Sequence, residues 1–257
     1  MSKSIQVIEV AFSGGQGRDG VEFGPETLIN HGLIDQLKGL KWTVSHNKDL
    51  MKSIEKPTDD PTVARCKNVK YVSNANKKVF EAVKASCQKN TATLVIGGDH
   101  SLAIGSVAGS AAVFPDICVI WIDAHADINT PDTTGSGNLH GCPLSFLLKL
   151  PSTEKVKELD WVPHCITPDR LVYIGLRDVD DGERQILRDH KIKAFSMHDV
   201  DKYGIGKVVE MALDHVNPKR NRPIHLSYDV DALDPTVTPA TGICNLCRNT
   251  CARWIDF

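Results

Sequence analysis

Three short runs of the chain combine carboxylates with histidine: GGDHS at 97–101, DAHAD at 123–127 and SYDVDALD at 227–234. Their side chains His100, Asp123, His125, Asp127, Asp229 and Asp231 are the ligand types of a pair of adjacent divalent cations. Carboxylate and imidazole suit manganese, iron, cobalt or zinc, and the absence of cysteine from the runs argues against a soft thiolate site. Several acids gathered in one buried pocket repel one another unless cations neutralise them. Two cations a few ångströms apart turn water into a nucleophile near neutral pH, so the chemistry these residues suggest is metal-assisted hydrolysis. Asp123, His125 and Asp127 stand at i, i+2 and i+4, a spacing that puts three side chains on one face of an extended segment, and Asp229 and Asp231 repeat the i, i+2 step. Taken alone, DAHAD reads equally well as a polar loop after a strand, and His100 as a structural histidine near a helix start. The convergence of three such runs favours the metal reading.

Each run follows an apolar, β-rich stretch. Leu94–Ile96 leads to Asp99 and His100, Cys118–Ile122 to Asp123, and Ile224–Tyr228 to Asp229. A fourth strand, Leu171–Ile174, delivers Arg177, Asp178 and Asp180. Further strands are expected at Ile5–Phe12 and Ala194–Ser196. Helical spacing is expected over Thr27–Lys38, Val72–Lys89, Leu102–Val113, Leu144–Leu150, Gly182–Asp189 and Lys207–His215, with a surface loop at Asp59–Lys67. Continuous apolar strands separated by helices predict a parallel sheet covered on both faces. In such a sheet functional groups collect in the loops at the carboxyl ends of the strands, where all three runs fall.

A chain of 257 residues can bury one large core. Hydrophobic residues at 41% and charged residues at 24% are ordinary for a globular protein, and a formal charge of -2 gives no pull toward nucleic acid or an anionic membrane. No apolar run approaches the ~18–20 residues of a membrane span. The opening MSKSIQVIEVAF has neither signal-peptide nor transit-peptide character, so a cytoplasmic protein is expected, with a mitochondrial one as the alternative. Cys66, Cys87, Cys118, Cys142 and Cys165 are scattered, as free thiols are in a reducing compartment. Cys244, Cys247 and Cys251 form C-x2-C-x3-C without an evident fourth ligand, so they read as an unusual tail before a zinc site. The segment SGGQGRDG at 13–20 lacks the spacing of a dinucleotide loop and reads as a polar turn.

GGDHSLAIG, VIWIDAHADINTP, SGNLHG, YIGLRDVD and RPIHLSYDVDALDP with TPATG resemble arginase, the binuclear manganese ureohydrolase, in register from about Ile5 to Gly242. The resemblance implies a three-layer α/β/α fold around a mostly parallel eight-stranded sheet, two Mn2+ per subunit, and usually a homotrimer. It implies hydrolysis of L-arginine to L-ornithine and urea by attack of a metal-bridging hydroxide on the guanidinium carbon. By motif, His100, Asp123, Asp127 and Asp229 would hold one manganese, and His125, Asp123, Asp229 and Asp231 the other. Asp127 resembles the proton-transfer carboxylate and His140 the proton shuttle, a role suited to a side chain that titrates near neutrality. Asn129, Ser136 and Asn138 resemble groups that read the substrate α-carboxylate, and Asp180 the one that meets the α-ammonium. Such groups favour an amino acid over a bare amine, which separates arginase from the agmatinase-like alternative.

The motifs stop at Gly242, so the expected organisation is an arginase-like catalytic domain over 1–242, incomplete, and an atypical Cys-rich tail over 243–257. Ile243 stands where the family carries threonine, and the expected C-terminal strand, helix and guanidinium-pairing glutamate are missing. The strand belongs inside the family's sheet, so its neighbours are expected to show unpaired backbone and uncovered apolar faces. A catalytically impaired metal-binding isoform is therefore the alternative to an active hydrolase.

Overall fold

The computed structural model describes residues 3–48, 50–239 and 241. The tail cysteines, the domain boundary at 242 and Ile243 lie outside them.

Seven strands are present among the described residues: β1 (Ser4–Val10), β2 (Thr43–Asn47), β3 (Ala92–Gly97), β4 (Cys118–Ile122), β5 (Leu171–Leu176), β6 (Lys193–Ser196) and β7 (Ile224–Tyr228). All pairings are parallel, in two sheets ordered β2-β1-β3 and β6-β5-β4-β7. The expected parallel α/β architecture is present, its described strands falling into these two sheets. Among the described residues β3 pairs only with β1 and β7 only with β4, with no strand between them.

Among the described residues eight helices alternate with the strands: α1 (Gly24–Asn30), α2 (Leu33–Gly39), α3 (Val69–Gln88), α4 (Ala103–Ala111), α5 (Pro143–Leu147), α6 (Asp181–Asp189), α7 (Met197–Tyr203) and α8 (Ile205–Val216). The helix expected over Thr27–Lys38 is two helices, because Gly32 takes φ 90 between them, a left-handed turn that glycine adopts without strain. None of the helices is long and apolar enough to cross a membrane.

The central strands are buried on both faces, as their unbroken apolar sequences require. Val119 and Trp121 of β4 and Leu171 and Tyr173 of β5 face a core shared with α3, α4 and α5. Cys118 and Ile120, with Val172 and Ile174, face α8 through Val208, Ala212 and Val216. On the first face α3 and α4 approach closely because α4 is AIGSVAGSA. A Cβ on Gly105 would stand 2.4 Å from the Asn76 carbonyl oxygen, and one on Gly109 would stand 2.7 Å from that of Phe80. The Asn76 side chain seals the contact by accepting from Gly105 N at 2.6 Å. The first turn of α3 lacks a side-chain cap of its own, and Asp60 supplies one from the preceding loop by accepting from Lys70 N and Tyr71 N, both at 2.9 Å. α6 and α7 each open with a reciprocal capping box, Asp180 with Glu183 and Ser196 with Asp199.

Candidate metal centre

β3, β4 and β7 end side by side, and each hands its next residues to the same place. After β3, Gly98 lies against β1's exit so tightly that a Cβ there would sit 1.8 Å from the Phe12 carbonyl oxygen. The Asp99 carboxylate then accepts from Gly15 N at 2.8 Å and Ser101 N at 2.9 Å, starting the turn that presents His100. After β7, Asp229 accepts from Asp231 N at 3.0 Å to make the equivalent turn. From the loop after β5, the Arg177 guanidinium reaches the carbonyls of Asp231, Ala232 and Leu233 and ties the β7 loop down.

The ligand side chains converge. His100 Nδ1 lies 3.1 Å from Asp123 Oδ2, 3.0 Å from Asp127 Oδ2 and 3.2 Å from Asp229 Oδ2. His125 Nδ1 lies 3.1 Å from Asp231 Oδ2 and 3.5 Å from Asp123 Oδ1. Two sets therefore have the spacing of a metal site, His100–Asp123–Asp127 and Asp123–His125–Asp231, with Asp123 common to both. Asp229 stands against the first set through His100. The DAHAD segment does not reach this arrangement as the extended run its spacing suggested. Asp127 takes φ 50, and the turn sends Asp127 to His100 while His125 goes to Asp231.

His100 Nδ1 is buried and, despite three carboxylate oxygens close by, has no hydrogen-bond partner of acceptable geometry. A lone pair aimed into a ring of acids fits a cation. The ring's other nitrogen, Nε2, is 2.8 Å from Ser227 Oγ, and its face stacks on Trp121 with ring centroids 4.2 Å apart. With Nε2 protonated and donating to Ser227, Nδ1 is left free to bind. Trp121 Nε1 also donates to Asp123 Oδ2 at 2.9 Å, and His125 N donates to Asp123 Oδ1 at 2.7 Å. Supporting contacts of this kind orient metal ligands and tune their basicity.

The acids and histidines share charge strongly when no cation is bound. Burial opposes the charged form of both histidines, but the carboxylates around them outweigh it and hold each ring well above its ordinary range. Burial also opposes ionisation of Asp123, yet His100 and His125 keep it well below the usual carboxylate range. Asp127 is pushed up to about 7 by burial and then by the charge of Asp123. His140 is pushed down to about 4 by burial and by the neighbouring His100 and His125.

Beside the centre, Asn129 Nδ2 donates to Asp180 Oδ2 at 2.9 Å, joining two of the residues expected to read the substrate backbone. Glu183 holds the floor beneath them by accepting from Ile128 N and Asp180 N, both at 3.0 Å. Asn129, Ser136, His140 and Asp180 line one cavity of about 1550 Å3 with His100, His125, Asp127, Asp229 and Asp231. Asn138 is not part of that lining; its amide lies 3.6 Å from the position a Cβ would take at Gly17.

The supporting residues Trp121, Ser227 and Glu183 are not marked out by residue type. For Glu183 a signal existed, since Asp180-x-x-Glu183 has the spacing of a capping box.

A sequence model of the arginase family matches residues 3–246, four residues beyond the last motif recognised in the sequence. An arginase of Glaciozyma antarctica is 55% identical over 244 residues, spanning 93% of this chain and 71% of that protein. Arginase-1 of Rattus norvegicus is 51% identical over 243 residues, spanning 93% and 74%. The crystal structure of Entamoeba histolytica arginase in complex with L-ornithine superposes with a TM-score of 0.78 at 32% identity, covering 92% of this chain and 79% of that one.

Proposed function

Because the chain belongs to the arginase family of hydrolases, we propose that it hydrolyses L-arginine to L-ornithine and urea with two manganese ions held at the carboxyl ends of β3, β4 and β7. The observation that carries this reading is the pair of His/Asp sets sharing Asp123. His100, Asp123, Asp127 and Asp229 would hold one ion, and His125, Asp123, Asp229 and Asp231 the other. The ions would acidify water between them and supply a nucleophile near neutral pH.

The remaining work falls to side chains. Asp180, paired with Asn129, receives the α-ammonium of arginine, while Asn129 and Ser136 in the cavity lining receive its α-carboxylate. This orients the guanidinium toward the metals, and an amine without the carboxylate leaves those polar groups unpaired. Water oxygen bonds to the guanidinium carbon, and the bond to the side-chain nitrogen breaks after that nitrogen gains a proton. Asp127 takes the water's proton. His140, held neutral by burial, carries a proton between solvent and the departing amine.

Among the described residues the edges of β3 and β7 beside the centre have no strand between them, which favours a second reading, a chain that binds metal but turns over slowly. Urea release from L-arginine by the purified, monodisperse chain in excess Mn2+ separates them. Sustained turnover supports the active hydrolase. A folded sample that binds manganese and releases no urea refutes it in favour of the second reading.

A further inference from the structure

The two ends of an asparagine amide do opposite chemistry: the nitrogen donates two hydrogen bonds and the oxygen accepts. Asn129 is buried and lines the cavity beside Asp180. To read a carboxylate there it must present its nitrogen, since both the substrate carboxylate and Asp180 are acceptors. Its backbone is fixed by donation from Asn129 N to Gly141 O at 3.0 Å. Its amide is fixed by Thr133, whose hydroxyl donates to Asn129 Oδ1 at 2.8 Å. Thr133 Oγ1 in turn accepts from Thr130 N at 2.8 Å, so its oxygen is tethered while its proton goes to Asn129. The turn that carries it is closed by Thr130 O, which accepts from Thr133 N at 3.1 Å and Thr134 N at 3.0 Å. With Oδ1 engaged on that side, Nδ2 donates to Asp180 Oδ2 at 2.9 Å and has a second hydrogen left to give. Thr133 also packs closely on the start of α6. A Cβ on Gly182 would stand 2.9 Å from Thr133 Cβ and 3.2 Å from its Cγ2.

We propose that Thr133 is a positioning residue that sets the preference for an α-amino acid over a bare amine by holding the Asn129 amide in its donating orientation. This rests on the role proposed above for Asn129 in receiving the α-carboxylate. Reversed, the amide would set Oδ1 against Asp180 Oδ2 and against the incoming carboxylate, two contacts between acceptors. Asp180 opposes that reversal while its own carboxylate is free. Once the α-ammonium of the substrate takes up the charge of Asp180, Thr133 is left to keep Nδ2 turned toward the carboxylate. Thr133 itself is exposed and stands outside the cavity lining, so it acts through Asn129 and can be changed without opening the core. An amine that lacks the carboxylate makes no use of the second Nδ2 hydrogen and is indifferent to Thr133.

Binding, measured separately from turnover, tests this. In calorimetric titrations of the full chain in excess Mn2+, L-ornithine is expected to bind more tightly than 1,4-diaminobutane, the same molecule without its carboxylate. Thr133→Val keeps the shape and removes the hydroxyl. It is expected to weaken L-ornithine about 3- to 10-fold and to change 1,4-diaminobutane by less than about twofold. Thr133→Ser, which retains the donor, is expected to bind both as the unaltered chain does. Unchanged L-ornithine affinity in Thr133→Val overturns the proposal, as does equal weakening of both molecules, which would mark Thr133 as a packing residue. If the diamine binds too weakly to titrate, Thr133→Ser decides, and a loss equal to that of Thr133→Val overturns the proposal. An unaltered chain that does not prefer L-ornithine to 1,4-diaminobutane refutes the carboxylate role of Asn129 itself, and the proposal falls with it.

Discussion

Ser227→Ala isolates the orientation of one metal ligand from its presence. Ser227 is 8% exposed, and its hydroxyl is positioned 2.8 Å from His100 Nε2 to accept the ring proton. Without that acceptor, a buried N–H loses its partner at a cost of roughly 1–3 kcal/mol. When the ring gives up one proton, as metal binding requires, the cheapest relief is to keep the remaining one on Nδ1, where three carboxylates lie within 3.0–3.2 Å. That tautomer cannot bind a cation. At about 1.4 kcal/mol per decade, manganese binding at the His100 set should weaken by about 10- to 100-fold, with His125's set much less affected. Calorimetric titration of the metal-free protein with MnCl2 reads this as a split between two binding events. Two undiminished binding constants alongside a lowered melting temperature would show that Ser227 merely packs, and the tautomer argument fails.

Other perturbations have defined directions. Asp123→Asn should abolish tight binding of both ions because both ligand sets share it, whereas His125→Ala should weaken one more than the other; equal losses in the second variant would contradict the division. Asp180→Ala should raise KM for L-arginine about tenfold or more with a smaller effect on kcat, and an unchanged KM would remove Asp180 from substrate recognition. Gly98→Ala should cost more than about 4 kcal/mol or leave the protein insoluble, since the added carbon would meet the Phe12 backbone oxygen at 1.8 Å; a soluble variant with near-native urea midpoint refutes the clash. Glu183 is pushed up to about 8 from 4.5 by burial and by Asp127. Its folded form therefore holds a proton more tightly than its unfolded form. This contribution is fully present below pH 4.5 and is lost as pH rises toward about 8. The metal-free protein should lose more stability across that window than Glu183→Gln does, and parallel pH profiles in urea denaturation would argue otherwise.

What the sequence makes legible follows from how locally each feature is determined. β4 was placed at Cys118–Ile122, because five consecutive apolar residues buried on both faces carry their own signal. β2 has no such signal: TVSHN is largely exposed and, among the described residues, pairs only with β1, so no apolar run marks it. α7 was missed for a related reason, having no buried residue, although Ser196-x-x-Asp199 announces its start. The ligand types at 100, 123–127 and 229–231 could be named from composition alone, since carboxylates and imidazoles at strand ends have few other uses in such numbers. Their supports could not. Ser227 and Trp121 act through His100 only because β7 and β4 lie side by side, and the left-handed turn at Asp127 that sorts the ligands is invisible in an alternating pattern.

The pairing of β7 with β4 also sets when the centre can exist. Asp123 and Asp127 are synthesised about a hundred residues before Asp229 and Asp231, and no fragment lacking β7 contains the complete ligand set. Closing so long a loop is an entropic toll taken before any cation can repay it. During synthesis the first half of the chain emerges with a cluster of acids and no means to neutralise them in full. Binding of a cation by the complete ligand set is therefore a late act of folding for this chain.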